Sequence, residues 1–233
     1  MDFAYTKSVV LREYDSDVYK CECPVIEFDF DGVLYDMLKA SRRQSSILDM
    51  YDFGDSCVTK YDFSNCPAII RKAVFDTFNN INTFIDDTCF YDGVETFLCS
   101  LFEYAERYYS PFKLVIHTYV RKQKFAKIRC DWIFSKISAM LLRGKYPCNL
   151  TVICDYAPGG KQILKSDILI EDNLGYIAKV KDADMCKHCF APGRNYVYCE
   201  NTDNEILTFS MWYQLFSEIT WCYSEFLREH RGT

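Results

Sequence analysis

Apolar residues in this chain fall into short continuous blocks, separated by stretches whose apolar positions recur every three or four residues. Val25–Asp31, Phe112–Thr118, Leu150–Asp155 and Ile168–Asp172 are rich in β-branched and aromatic residues and too short for helices, which predicts buried strands. Asn195–Cys199 fits a fifth strand. Between these blocks the rhythm is helical. Val94, Phe97, Leu98, Leu101, Phe102 and Ala105 share one face, with Asp92 and Glu95 placed as a capping box. Phe125, Ile128, Trp132, Ile137 and Leu141 form a second such face, ending at Arg143 and Gly144. A long aromatic helix closes the chain, with a predicted start at Thr202 and Glu205 at the reciprocal capping position.

Strands alternating with helices imply a parallel sheet covered on both faces. Ligands of such sheets sit at the carboxyl ends of the strands. One stretch departs from the alternation. Between Leu34 and Asp92, Pro67 opens a run in which Ile70, Val74, Phe75 and Phe78 share a face. This predicts a helical cap, residues 35–92, inserted into a core formed by residues 1–34 and 93–233.

The composition narrows the setting. The 233 residues, 49% hydrophobic and 26% charged, suffice for one sizeable soluble domain with an insertion. No apolar run approaches the roughly 20 residues of a membrane span. The first residues lack the apolar block of a signal peptide, so the expected address is cytoplasmic. A net charge of −6 without a basic stripe argues against an extended nucleic-acid surface, but not against a small phosphorylated substrate. The 13 cysteines are scattered through predicted elements, which favours buried reduced thiols. Cys186 and Cys189 flank His188 at half of a zinc-site spacing, with no second pair to complete it.

The strand ends carry the chemistry. The first ends in Phe28-Asp29-Phe30-Asp31-Gly32, where alternation starts both aspartates on one side and Gly32 permits a sharp turn. Two carboxylates so close repel unless a cation or a shared proton intervenes. The second strand ends in His117-Thr118, and the fourth in Glu171-Asp172-Asn173.

An apolar strand with Asp-x-Asp-Gly, then one with Thr, then one with an acidic pair resembles the haloacid dehalogenase superfamily over roughly residues 25 to 180. The resemblance implies a Rossmannoid three-layer sandwich with a small cap after the first strand, and a phosphatase. Asp29 would be the nucleophile that becomes an aspartyl-phosphate, and Asp31 the acid and base. Magnesium would be held by the Asp29 carboxylate, the Asp31 backbone carbonyl and Asp172. Thr118 would bind a phosphate oxygen. Glu171 stands where the family commonly has another aspartate.

Within the superfamily, the acidic pair and the cap look closest to the 5'(3')-deoxyribonucleotidases. Lys161 matches a lysine in the approach to that group's final motif. Counting back from Trp132 offers Arg129 and Lys127 as the other phosphate cation. Tyr119 and the Ala157-Pro158-Gly159-Gly160 loop depart from that pattern. The implied substrate is a (deoxy)nucleoside monophosphate, whose base would stack on cap aromatics such as Tyr61 or Phe63. A sugar phosphate, a 3'-phosphate end, or a catalytically idle relative binding a nucleotide or partner are the alternatives, and a homodimer stays open.

Overall fold

The structure, a computed structural model, describes residues 9–14, 23–108, 111–143, 149–201 and 206–231. The strands are β1 (Val9–Tyr14), β2 (Val25–Asp29), β3 (Lys113–Tyr119), β4 (Asn149–Asp155), β5 (Ser166–Ile170), β6 (Cys186–Pro192) and β7 (Leu207–Phe209). They form one sheet in the order β1-β4-β3-β2-β5-β6-β7, parallel throughout except for β1, which runs antiparallel to β4 at the edge. This is the expected α/β class. Every residue of β2 is buried, because β2 is central and covered on both faces.

Helices α4 (Val94–Arg107), α5 (Gln123–Arg143) and α8 (Trp212–Arg231) pack on one face against Ile26, Phe28, Leu114, Ile116 and Ile170. Helices α6 (Leu174–Asp182) and α7 (Asn195–Glu200) join a second cluster around Leu169 and Ala191. From β2 the chain passes to β3 and β4 on one side, then crosses to β5 on the other. The carboxyl ends of β2 and β5 therefore flank the point where strand order reverses, which is where such sheets open a crevice.

Between β2 and α4 lie α1 (Met37–Arg43), α2 (Ser46–Met50), α3 (Ala68–Thr77) and short 3-10 turns. The entry and exit of this segment are pinned together: the Asp36 amide donates to the Cys89 carbonyl at 2.7 Å, and the Tyr91 amide to Leu34 at 3.1 Å. Among the described residues no helix is long and apolar enough to cross a membrane.

Three sequence expectations fail locally. Asn195–Cys199 is not a strand but lies within α7, since a five-residue apolar run carries no decisive period. The last helix begins at Trp212, after β7; Thr202 and Glu205 lie outside the described residues. The N-cap of α4 is not Asp92, the position that the expected Asp92–Glu95 capping box requires. Gly93, at φ 85°, caps α4, and a Cβ there would lie 2.9 Å from Trp212. Trp212 stacks on Phe97 and donates to the Asp92 carbonyl at 2.7 Å, so tertiary packing replaces the local cap. Strands β1, β6 and β7 are not among the expected ones. Gly144, the expected helix stop, lies outside the described residues.

Candidate active site

Asp29 ends β2 with 4% of its surface exposed. One oxygen each from Asp29, Glu171 and Asp172 lie within 4.8 Å of one another, all three residues buried. Lys161 reaches into this cluster from the loop after β4. Its ammonium donates to Asp29 Oδ1 at 2.8 Å and also to Glu171 Oε2. Burial alone would lower the lysine, but Asp29 and Glu171 hold its pKa well above the ordinary value. Burial, then the charges of Asp29 and Glu171, push Asp172 well above the carboxylate range. Burial and Glu171 likewise raise Asp29 to about 7, against the opposing pull of Lys161. Three buried carboxylates facing one ammonium leave excess negative charge, which another cation would relieve.

The chain must turn sharply after Asp29. The amides of Leu34 and Tyr35 both donate to the Phe30 carbonyl, at 3.0 and 2.9 Å, and the Gly32 amide to Tyr35 at 2.8 Å. Gly32 has φ 74°, and a Cβ there would stand 1.8 Å from Asp172 Oδ2. Only glycine meets both demands. Because β2 stops at Asp29, strand alternation does not extend to Asp31. The Asp31 carboxylate is instead held by the Thr118 hydroxyl at 3.0 Å and by the guanidinium of Arg129.

This placement separates the proposed phosphate cations. Lys161 lies at the cluster. Arg129 is wholly buried, packed over the rings of Phe30, Tyr35 and Phe84, and meets the site through its ion pair with Asp31. Lys127, two residues earlier on α5 and so on another face of the helix, is 67% exposed and pairs with Asp131 at 2.7 Å. The structure does not bring Lys127 to the site. Thr118 spends its hydroxyl on Asp31.

Two supporting groups escaped the sequence reading. The first is a buried triad across three strands. His117 Nδ1 lies 2.9 Å from Glu27, and Nε2 lies 2.9 Å from Asp155. Burial opposes a charged ring here, but hydrogen bonds to Asp155 and Glu27 outweigh it and raise the His117 pKa. Asp155 Oδ2 also accepts the amide of Gln162 at 2.7 Å, and Tyr176 donates to the Gln162 carbonyl at 2.8 Å. The triad thus anchors the loop that presents Lys161. A glutamate inside an apolar strand was the available signal, since a buried charge needs a partner. The second group comes from α7 and the residue before it: Tyr196 donates to Asp172 Oδ2, and Arg194 donates to the Gly32 carbonyl at 2.9 Å. A six-residue helix read as a strand gave no hint of either.

Above the acids opens a cavity of about 530 Å³. Asp29, Asp31, Lys161 and Asp172 line one end, while Phe63, Phe75, Phe78 and Phe84 contribute an apolar wall. Tyr61, 41% exposed, borders the cavity edge-on to Tyr196 at 5.9 Å. Crowding by protein, then the charges of Asp172, Glu171 and Asp29, raise its phenol well above the ordinary range. Phe63 packs against Phe53, Phe75 and Phe78 at 6.3 to 6.4 Å while still facing the cavity.

No protein-family model matches the sequence, and no curated protein matches it. Among solved structures, CbbY from Rhodobacter sphaeroides in complex with xylulose-(1,5)-bisphosphate is similar at 14% identity and a TM-score of 0.41, over 82% of this chain and 95% of that one. β-Phosphoglucomutase from Clostridium difficile is similar at 15% identity and a TM-score of 0.39, over 88% and 99%. Likeness of this degree assigns no family.

Proposed function

We propose that the chain is a magnesium-dependent phosphomonoesterase of the haloacid dehalogenase type. The observation that carries this reading is the buried Asp29 carboxylate at a strand end, joined to Lys161, Glu171 and Asp172 on the floor of an open cavity. The donor set suits a hard divalent cation: all oxygen, negatively charged in excess, with Asp172 Oδ1 buried and without a hydrogen-bond donor among the described residues. Asp29, Asp172 and the Asp31 carbonyl would hold it, with Glu171 beside them. When bound, such a cation neutralises phosphate oxygens and eases attack by an anion.

The protein groups then divide the work. Lys161 binds a phosphate oxygen and orients the ester. The Asp29 carboxylate attacks phosphorus; the Asp29–phosphorus bond forms as the bond to the leaving oxygen breaks. Asp31 gives a proton to that oxygen, then takes one from the water that cleaves the aspartyl-phosphate. Thr118 and Arg129 fix the orientation of the Asp31 carboxylate for both transfers.

Residues 35–92 act as the cap over this site. A (deoxy)nucleoside monophosphate is the preferred substrate, because the cavity has the size of a small-ligand site and one wall is aromatic. Phosphate release from a panel of nucleotides, sugar phosphates and an aryl phosphate, with magnesium or with chelator, tests the reading. Magnesium-dependent turnover that is fastest on nucleotides is expected. A sugar phosphate turned over best would replace the substrate class. No turnover on any ester would leave a binding protein in place of an enzyme.

A further inference from the structure

The acid cluster is braced by a short segment that the chemistry above does not use. Tyr196 donates its hydroxyl to Asp172 Oδ2, and both residues are buried. The remaining oxygen, Oδ1, is also buried and has no hydrogen-bond donor among the described residues. The hydroxyl lies 2.9 Å from where a Gly32 Cβ would stand, so the phenol, the Gly32 turn and the carboxylate are in mutual contact. A phenol suits this task because it donates one hydrogen bond to a carboxylate and carries no charge of its own at neutral pH.

The neighbours of Tyr196 hold it from the other side. The Asn195 amide donates to Asp55 Oδ2 at 2.9 Å, and its side chain donates to the carbonyls of Val58 at 2.8 Å and Ser56 at 3.4 Å. Arg194 donates to Gly32 and lies 3.8 Å from the centre of the Tyr91 ring. Glu200 accepts the Tyr61 amide at 3.3 Å. Residues 194–200 thus fasten the segment 55–61 to the Gly32 turn and to Asp172 at once.

We propose that Tyr196 is the positioning residue of the metal site: it fixes Asp172 Oδ2 and leaves Oδ1 to the cation, while Asn195 clasps segment 55–58 to keep the phenol in place. This rests on the reading that Asp29 and Asp172 hold a divalent cation. Partners that orient a ligating carboxylate typically change metal affinity by about 10- to 100-fold.

The test is Mn²⁺ binding to the full chain, followed by electron paramagnetic resonance of the free ion, for wild type, Tyr196→Phe and Asn195→Ala. Thermal melts run beside it. Tyr196→Phe keeps the ring, so its melting should change little while its Mn²⁺ affinity falls about tenfold or more. Saturating Mn²⁺ should recover part of the lost phosphatase rate. Asn195→Ala, one contact further from the ligand, should weaken Mn²⁺ in the same direction but by less than Tyr196→Phe. Wild-type binding with equal affinity in Tyr196→Phe overturns the positioning role, even if the melting falls. Unchanged affinity in Asn195→Ala overturns the clasp. A wild type that binds no Mn²⁺ removes the metal reading itself, a result distinct from either.

Discussion

Replacing Asp29 by asparagine should abolish turnover and, in metal-free protein, raise stability. Burial and the Glu171 charge lift this carboxyl from 3.8 to about 7 despite the Lys161 ammonium. Between those values the folded protein keeps a proton that the unfolded chain has released. Stability therefore falls as pH rises from about 4 to about 7, and above that the full penalty stands. At about 1.4 kcal/mol per pH unit, the interval costs at most about 4 kcal/mol. Asparagine has nearly the same shape and no charge to desolvate. Metal-free Asp29→Asn should exceed metal-free wild type by about 1–4 kcal/mol at pH 8, several degrees in melting temperature, with the gap well under half of that at pH 5 and closing near pH 4. His117, whose pKa is also raised, likewise contributes stability that is lost as pH rises, but it is common to both proteins and cancels in the difference. Magnesium should narrow the gap by stabilising wild type more. Thermal melts of chelator-treated protein from pH 5 to 8 provide the measurement. A gap absent at pH 8, or equal at pH 5 and 8, would refute the reasoning.

Further substitutions probe separate parts of the site. Gly32→Ala should cost about 1–2 kcal/mol from the left-handed backbone alone, and more from the contact with Asp172, with phosphatase activity lost; a normal melting curve with normal turnover would contradict this. His117→Ala leaves Glu27 and Asp155 buried without their shared partner, so denaturant melts should show a loss of about 3–5 kcal/mol. Tyr61→Ala or Phe63→Ala should weaken a nucleotide by about 1–3 kcal/mol in KM terms yet barely alter hydrolysis of a small aryl phosphate. Equal losses on both substrates would mark the rings as structural.

The sequence by itself determined the four central strands, β2 to β5, and with them which residues stand at those strand ends. Asp29, Thr118 and Asp172 were legible because apolar blocks delimit strands, and parallel sheets gather their carboxyl ends at one edge. Glu27 inside such a block even signalled a buried partner without naming it. Tertiary structure alone decided what each of these groups meets. Asp31 turned to Thr118 and Arg129 because β2 stops two residues earlier, an outcome set by the Gly32 turn against Asp172. Arg129 and Lys127, alike as cations in the sequence, parted because two helical positions apart is a different face. Trp212, far along the chain, displaced the cap that Asp92 and Glu95 encode. Tyr196 acquired its role from a carboxylate that only chain crossing brings near. Local patterns fix elements because their period is local; partners distant in sequence are fixed by packing, which no local window contains.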